Sequence, residues 1–267
     1  MKNAKKDFTF EEFNGIISTL RSEGGCPWDR EQTHDSIKRN LIEEAYEAVE
    51  ALDSGDKMKF ADELGDVLLQ VVFHSQIGKE NGTFTISDVI NLVSEKMISR
   101  HTHIFGDDKA DTSDEVLDTW EKNKIKEKGL SSYTDSLNDV CKYLPSLIYA
   151  QKIQKKASKA GMDWNDAKDA LLKIAEETEE INKAMEENDA LQVEEEIGDL
   201  LFSVVNVSRL LKIDAEEALK KSTQKFIKRF SLVEEETKRQ EKDMTDMSLC
   251  ELDEIWDKVK KEAKEEN

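Results

Sequence analysis

Few residues in this chain break helices or form cross-links. Its 267 residues include 2 prolines, 11 glycines and 3 cysteines. So little proline and glycine, beside 37% charged residues, predicts long helices rather than many turns. The cysteines, Cys26, Cys141 and Cys250, are odd in number and widely spaced. The sequence therefore predicts neither a disulfide framework nor a cysteine-based zinc site, and it favours a reducing cytoplasm.

Long apolar runs are also lacking. The most apolar short stretch, Val67 to Phe73, is far too short to span a bilayer. The charged start, Met1 to Phe10, leads into no apolar segment, so we predict no signal peptide and a cytoplasmic location. The formal net charge of −20 disfavours a nucleic-acid polymer or a membrane as the main partner. It suits a protein whose acidic pockets gather cations.

Apolar residues recur at helical spacing along most of the chain, and no alternating run is long enough to predict a strand. Polar residues 105–113 predict a loop and residues 129–139 a linker, and Ser87 is the expected N-cap of the fourth helix. We predict an all-α fold with helices near residues 8–22, 35–53, 57–78, 87–101, 114–128, 142–159, 166–187, 190–211, 214–240 and 247–264.

The second half of the chain repeats the acidic pattern of the first. Five acids recur 133 positions apart, so that Glu43, Glu44, Glu47, Glu63 and Asp66 match Glu176, Glu177, Glu180, Glu196 and Asp199. Basic and aromatic residues recur at offsets of 129 and 136, so that Lys96, Arg100, Trp120 and Lys124 match Lys225, Arg229, Trp256 and Lys260. We infer a duplication and predict two tandem domains, residues 1–130 and 131–267.

The spacing of these acids places carboxylates on shared helix faces. Residues three or four apart lie on one face, and the short turn between the helices predicts antiparallel neighbours, so four carboxylates converge in each half. Oxygen-only ligands favour a hard cation, Mg2+ before Mn2+ or Ca2+. Any one of these motifs alone is more typical of a solvated acidic face, but the repeat, with a helix-interior glycine in each copy, favours a metal site.

Basic and aromatic residues supply the other parts of a nucleotide pocket. Lys225 and Arg229 lie on one helix face and can bind phosphates, and Lys173 precedes the acidic cluster by one turn. Trp256 offers a flat surface for a base, with Lys260 one turn away. Each feature alone is more typical of a solvated face or a core tryptophan, and only together do they indicate a pocket for a nucleotide with Mg2+.

Three segments of the second half resemble the MazG nucleoside triphosphate pyrophosphohydrolases: Lys173-Ile-Ala-Glu-Glu-Thr-Glu-Glu180, Glu194-Glu-Glu-Ile-Gly-Asp-Leu-Leu201 and Lys225-Phe-Ile-Lys-Arg-Phe230. Three segments of the first half resemble the amino-terminal domain of that family: Cys26-Pro-Trp-Asp-Arg-Glu-Gln-Thr33, Asp62-Glu-Leu-Gly-Asp66 and Arg100-His-Thr-His-Ile-Phe105. The resemblance covers about residues 8 to 262.

The resemblance implies an all-α homodimer that hydrolyses nucleoside triphosphates between the α and β phosphates and requires Mg2+. In that family the carboxy-terminal domain can carry the activity by itself, so we predict the second half as the main catalytic domain, while the sequence leaves open whether the first half is active. By position, the metal ligands would be Glu177, Glu180, Glu196 and Asp199, and Glu176 would orient or deprotonate water. Lys173, Lys225, Arg229 and Lys260 would hold phosphates and Trp256 would contact the nucleotide. In the first half Glu44, Glu47, Glu63 and Asp66 form a second candidate metal site, and Lys96, Arg100, Trp120 and Lys124 a second candidate substrate site.

Two positions depart from the family pattern. Asn40 stands where the second half has Lys173, and it lacks the positive charge. Gln192 stands where the family has a lysine four residues before the glutamate of the second acidic motif. Outside these motifs, we expect His101 and His103 to cap a helix end or to pack rather than to bind a metal.

Two other functions compete with this interpretation. A carboxylate-bridged di-iron bundle needs a Glu-x-x-His pair, but Asp66 and Asp199 stand where histidine is required. The alternative outside enzymes is an acidic helical scaffold or interaction protein, which sustained heptads would indicate. Helices interrupted by glycine do not supply such heptads.

Overall fold

The computed structural model describes residues 7–265 of the chain, with side chains as far as residue 262. This part of the chain contains helices and no strand, so the all-α prediction is confirmed. It falls into two compact units, the first ending at Glu127 and the second beginning at Lys128. The predicted boundary at residue 130 lies just inside the second unit. The prediction about the start of the chain lies mostly outside the described residues.

The first unit contains seven helices in the part described. They are α1 (Phe10–Leu20), α2 (Pro27–Glu31), α3 (His34–Ser54), α4 (Lys57–Glu80), α5 (Ile86–Arg100), α6 (Thr102–Phe105) and α7 (Ser113–Glu127). Helices α3 and α4 form the main hairpin. The apolar second half of α4 supplies much of the core, where Val72, Phe73 and Ile77 pack with Ile17 and Ile37.

The described part of the second unit contains six helices and one 3-10 turn. They are α8 (Tyr133–Asn138), α9 (Ser146–Lys159), α10 (Ala167–Glu187), α11 (Ala190–Leu210), α12 (Ala215–Arg239), the 3-10 turn Met244–Asp246, and α13 (Leu249–Glu265). Helices α10 and α11 form its main hairpin. A separate apolar cluster of Val233, Ile255 and Val259 joins α12 to α13.

The two main hairpins turn in the same way, and the duplication extends to these turns. In the first unit Gly55 has a φ of 75° and Asp56 then accepts hydrogen bonds from the amides of Met58 and Lys59. In the second unit, 133 residues later, Asn188 has a φ of 56° and Asp189 caps α11. Glycine and asparagine both tolerate the left-handed conformation that ends a helix, so each pair of residues closes one helix and starts the next.

Two local sequence predictions were wrong, one about the cap of a helix and one about a linker. The fourth predicted helix is capped by Thr85 rather than Ser87, because Thr85 and Asp88 bond each other's backbone amides reciprocally, at 3.4 and 2.7 Å. The predicted linker 129–139 contains helix α8, which Ser132 caps through the amide of Asp135. In both places a reciprocal cap, Thr85 with Asp88 and Ser132 with Asp135, determines where the helix begins.

None of the helices in the described part of the chain combines the length and the apolar character that a membrane span needs.

Arg21 joins three elements of the first unit. Its side chain is nearly buried and makes a 2.7 Å ion pair with Glu80 at the end of α4. It also donates hydrogen bonds to the carbonyl oxygens of Asp29 and Gln32, which follow α1 in the chain. The hydrogen bond from Arg21 lowers the pKa of Glu80, against the opposing effect of partial burial. The pair therefore stabilises the fold at pH values above the ordinary carboxylate pKa and loses that effect as Glu80 becomes protonated.

We predict that Arg21→Ala lowers the free energy of unfolding by about 2 kcal/mol at neutral pH, because it removes charge-assisted hydrogen bonds from a buried site. Urea unfolding followed by circular dichroism measures this loss, which should shrink as the pH falls below the ordinary carboxylate pKa. Lys38→Ala, which removes an exposed 3.5 Å pair with Asp35, is the control and should change little. Equal effects of the two substitutions would contradict the prediction.

Candidate metal and nucleotide site

The hairpin of α10 and α11 brings three of the predicted ligands together. Carboxylate oxygens of Glu177, Glu196 and Asp199 all lie within 4.8 Å of one another. Glu177 is 4% exposed, whereas Glu196 is half-buried and Asp199 is exposed. One wall of this cluster is therefore fixed inside the protein, and the other faces solvent, from which an ion or a substrate can enter.

Glu180, the fourth predicted ligand, lies beside this cluster but outside the group of three. Its pKa is raised, first by burial, then by a hydrogen bond with Glu177 and by the negative charge of Glu196. Glu180 is therefore close to the cluster, but its ligation of a metal stays a prediction.

Lys173 provides the positive charge next to this cluster. Its Nζ lies 2.7 Å from Oε1 of Glu177 and 2.9 Å from Oε1 of Glu176, on the same helix. Hydrogen bonds with Glu177 and then Glu176 raise the pKa of Lys173, which keeps it charged. The lysine predicted to hold phosphate is here bound to two of the predicted catalytic acids, where it offsets their repulsion and orients Glu177.

The first unit has a cluster of the same form on α3 and α4. Oxygens of Glu44, Glu63 and Asp66 lie within 4.8 Å of one another, and all three side chains are half-buried. Burial raises the pKa of Glu44, and the charges of Asp66, Glu47 and Glu63 raise it further. Burial and the charge of Glu47 likewise raise the pKa of Glu63. Glu47 is thus near the cluster but outside the group of three, like its counterpart Glu180.

Both clusters adjoin a helix-interior glycine with open space beside it. A Cβ added to Gly65 or to Gly198 would meet no other atom within 4 Å, apart from nearby atoms of its own helix and chain neighbours. Close helix packing therefore does not explain these glycines. Each glycine precedes an aspartate of its cluster in the sequence and is exposed, in spite of the lower helix propensity of glycine.

Two of the predicted phosphate ligands line a cavity of about 480 Å³ between α12 and α13. Lys225 and Arg229 contribute from α12, together with three basic residues that the sequence analysis missed: Lys228, Arg239 and Lys258. Arg229 and Arg239 belong to one stripe of α12, at spacings of three and four residues through Leu232 and Glu236. Following one helix face from Arg229 in these alternating steps of three and four residues would have found Arg239.

Trp256 and Lys260 do not line this cavity. The Trp256 ring is half-buried, packs against the apolar cluster between α12 and α13, and has its centroid 5.1 Å from that of Phe226. Lys260 is exposed one turn further along α13. Their predicted contacts with a nucleotide stay predictions, and packing accounts for much of the tryptophan surface.

The matching residues of the first unit are arranged differently. Arg100 is buried and donates two hydrogen bonds of 2.9 Å to the carboxylate of Glu127, and its guanidinium lies 5.4 Å from the centroid of the Trp120 ring. Lys96 is exposed and Lys124 half-buried. His101 lies at the end of α5, where its ring packs edge-on against Trp120, as the capping and packing interpretation predicted.

The chain matches one protein family along more than half its length. Residues 32–105 and 166–233 match the MazG nucleotide pyrophosphohydrolase domain. The chain is 45% identical over 251 residues to a protein of Thermotoga maritima named nucleoside triphosphate pyrophosphohydrolase/pyrophosphatase MazG, covering 94% of this chain and 95% of that protein. It is 39% identical over 250 residues to a nucleoside triphosphate pyrophosphohydrolase of Escherichia coli K12, covering 92% and 95%.

A third similar protein is longer. The uncharacterized protein YabN of Bacillus subtilis is 46% identical over 255 residues, which cover 94% of this chain. The match covers 51% of YabN, so this chain spans about half the length of that relative.

We predict that each carboxylate cluster binds a divalent cation independently of the other. Glu177→Gln should remove about half of the Mn2+ that the intact chain binds, and Glu44→Gln with Glu177→Gln should remove nearly all, because each loses a charged ligand of its cluster. Electron paramagnetic resonance of free Mn2+ measures the bound amount. Glu179→Gln, which removes an exposed charge from the same helix outside the cluster, is the control and should bind as the intact chain does. Unchanged binding by Glu177→Gln would contradict the assignment.

Proposed function

This chain belongs to the MazG nucleotide pyrophosphohydrolase family, and we propose that its second unit is the one that performs the hydrolysis. The reaction cleaves a nucleoside triphosphate between the α and β phosphates and gives a monophosphate and pyrophosphate. The observation that carries the proposal is the combination found in that unit. It has a carboxylate cluster bound by Lys173 and an arginine, Arg229, that lines an open cavity.

The cluster fits a hard divalent cation. Three carboxylate oxygens within 4.8 Å repel one another, their ligand set contains no nitrogen or sulfur, and one carboxyl neighbour already has a raised pKa. Mg2+ is the proposed ion and Mn2+ its substitute, held by Glu177, Glu196 and Asp199, with Glu180 completing the set. When bound, such an ion polarises a phosphoryl oxygen and makes a coordinated water more acidic.

The side chains of the protein provide orientation and charge. Glu177 is held in one position because it is buried and bonded to Lys173. Glu176, exposed beside it and bonded to the same lysine, is placed to orient water or accept its proton. Lys225 and Arg229 would hold the phosphates and offset the charge that develops on the departing pyrophosphate. Lys260 would add a further phosphate contact and Trp256 a contact with the nucleotide.

Assembly and location are also proposals. Large apolar side chains are exposed on the hairpin helices, including Leu171, Leu172, Leu201 and Phe202. Such a surface is typical of a protein–protein interface, which supports the homodimer that the family resemblance implies. The strongly negative charge and the three free cysteines are consistent with a cytoplasmic enzyme.

We predict that the intact chain releases pyrophosphate from nucleoside triphosphates with Mg2+ and that Glu177→Gln abolishes the release. Glu44→Gln, which makes the same change in the first unit, is the matched control and should retain most of it. A coupled pyrophosphate assay over the common ribo- and deoxyribonucleotides measures both. Loss of activity in Glu44→Gln alone would place the reaction in the first unit and overturn the proposal.

The glycine beside each cluster offers a second comparison between the units. Gly198→Ala and Gly65→Ala should each stabilise their helix by about 1 kcal/mol, because alanine is the better helix former and its Cβ meets open space. We expect only Gly198→Ala to slow pyrophosphate release, since its methyl group would enter the space kept for substrate. Thermal melts and initial rates are measured on the same samples. Equal rates for the two variants would show that this space has no role in the reaction.

A further inference from the structure

The two units differ in what binds the arginine of the Lys-x-x-x-Arg pair. In the first unit Nε and Nη2 of Arg100 donate to the two oxygens of Glu127, each at 2.9 Å. Arg100 is 8% exposed, and the ring of Trp120 lies against its guanidinium. A two-point pair with both oxygens of one anion is also how arginine binds a phosphate. Glu127 therefore takes the place on Arg100 that a phosphate would need.

The arginine of the second unit is arranged differently. Arg229 is half-buried and lines the cavity together with Lys225. Among the residues whose side chains the structure describes, none is hydrogen-bonded or ion-paired to Arg229. The offset of 136 that relates the tryptophans and the lysines places Ala263 at the position of Glu127. Alanine has no group that pairs with a guanidinium.

We propose that Glu127 is a specificity-determining residue that keeps nucleoside triphosphates out of the first unit by occupying Arg100. The inference rests on the proposed function, since it takes the second unit as the site of hydrolysis. A triphosphate that binds Arg100 must first displace the carboxylate of Glu127 from a buried guanidinium. The displaced Glu127 then lies close to the phosphates as a like charge. Both effects weaken nucleotide binding without altering the carboxylate cluster on α3 and α4.

A purely structural role for the pair makes a different prediction. Arg100 and Glu127 also join α5 to α7, so a stabilising contact alone would give a less stable first unit and no new binding. Asn40 is the same in every variant, so a gain of nucleotide binding in Glu127→Ala is due to Glu127 and not to Asn40. Binding, rather than turnover, is therefore the readout that distinguishes the two roles.

The experiment uses the full chain with Mg2+ and α,β-methylene-ATP, whose α–β bridge is not hydrolysed, in a calorimetric titration. We expect the intact chain to bind the analogue in the second unit only. Glu127→Ala should add a second binding site per chain, located in the first unit. The affinity of this site for the analogue should be at least tenfold higher than that of the first unit in the intact chain. Adding Arg100→Ala to that variant should abolish the new site. Asp114→Ala, which removes a negative charge from the start of the same helix, is the matched control and should add no site.

Glu127→Gln keeps the size of the side chain and provides a second test if the alanine variant is unstable, and it should give a smaller gain. No gain in either folded variant over Asp114→Ala would overturn the proposal. A gain that survives Arg100→Ala, or a first unit that already binds the analogue in the intact chain, would overturn it as well. Pyrophosphate release by the intact chain is measured separately, so failure of the proposed function is distinguishable from failure of this one.

Discussion

Repulsion between carboxylates is the constraint on which the rest of each unit depends. Oxygens of three acidic side chains are held within 4.8 Å of one another by a hairpin of two long helices, so their negative charges repel. The hairpin is kept in register by a left-handed residue and an aspartate cap at its turn and by apolar packing along its length. The second unit offsets the repulsion with Lys173, and the pKa of Glu180 beside the cluster is raised. The first has Asn40 at the lysine position, and the pKa values of Glu44 and Glu63 are raised instead.

Features set by local spacing were predictable from the sequence. The helices, the duplication and the convergence of Glu177, Glu196 and Asp199 all follow from residues three or four apart and a short turn. Spacing also predicts Glu47 and Glu180 as fourth ligands, but both lie just outside the group of three. Whether a fourth acid joins that group depends on side-chain rotamers and local charge. The cap at Thr85 was missed because Ser87 offers the same chemistry two residues later, and only hydrogen-bond geometry distinguishes them.

Contacts between residues distant in sequence were not predictable in this way. The pairing of Arg100 with Glu127 joins residues 27 positions apart on different helices, and the glutamate lies outside every repeated motif. Lys258 lines the cavity between α12 and α13 and lies on a helix that the apolar spacing predicts. Its ion pair with Glu236 depends on how α12 and α13 pack, which the spacing does not show. Duplicated sequence therefore indicates a common architecture, and differences in single long-range pairs give the two copies different properties.

The hairpins described above also bear on how the chain folds during synthesis. Most contacts in each unit join helices that are adjacent in sequence, so the entropy lost in closing loops is small and folding should be fast. The first unit contains its own core and its own turn signals and ends at Glu127. It can fold while the ribosome is still making the second unit. A nascent chain then carries one complete acidic cluster before the residues proposed to bind nucleotide have been translated.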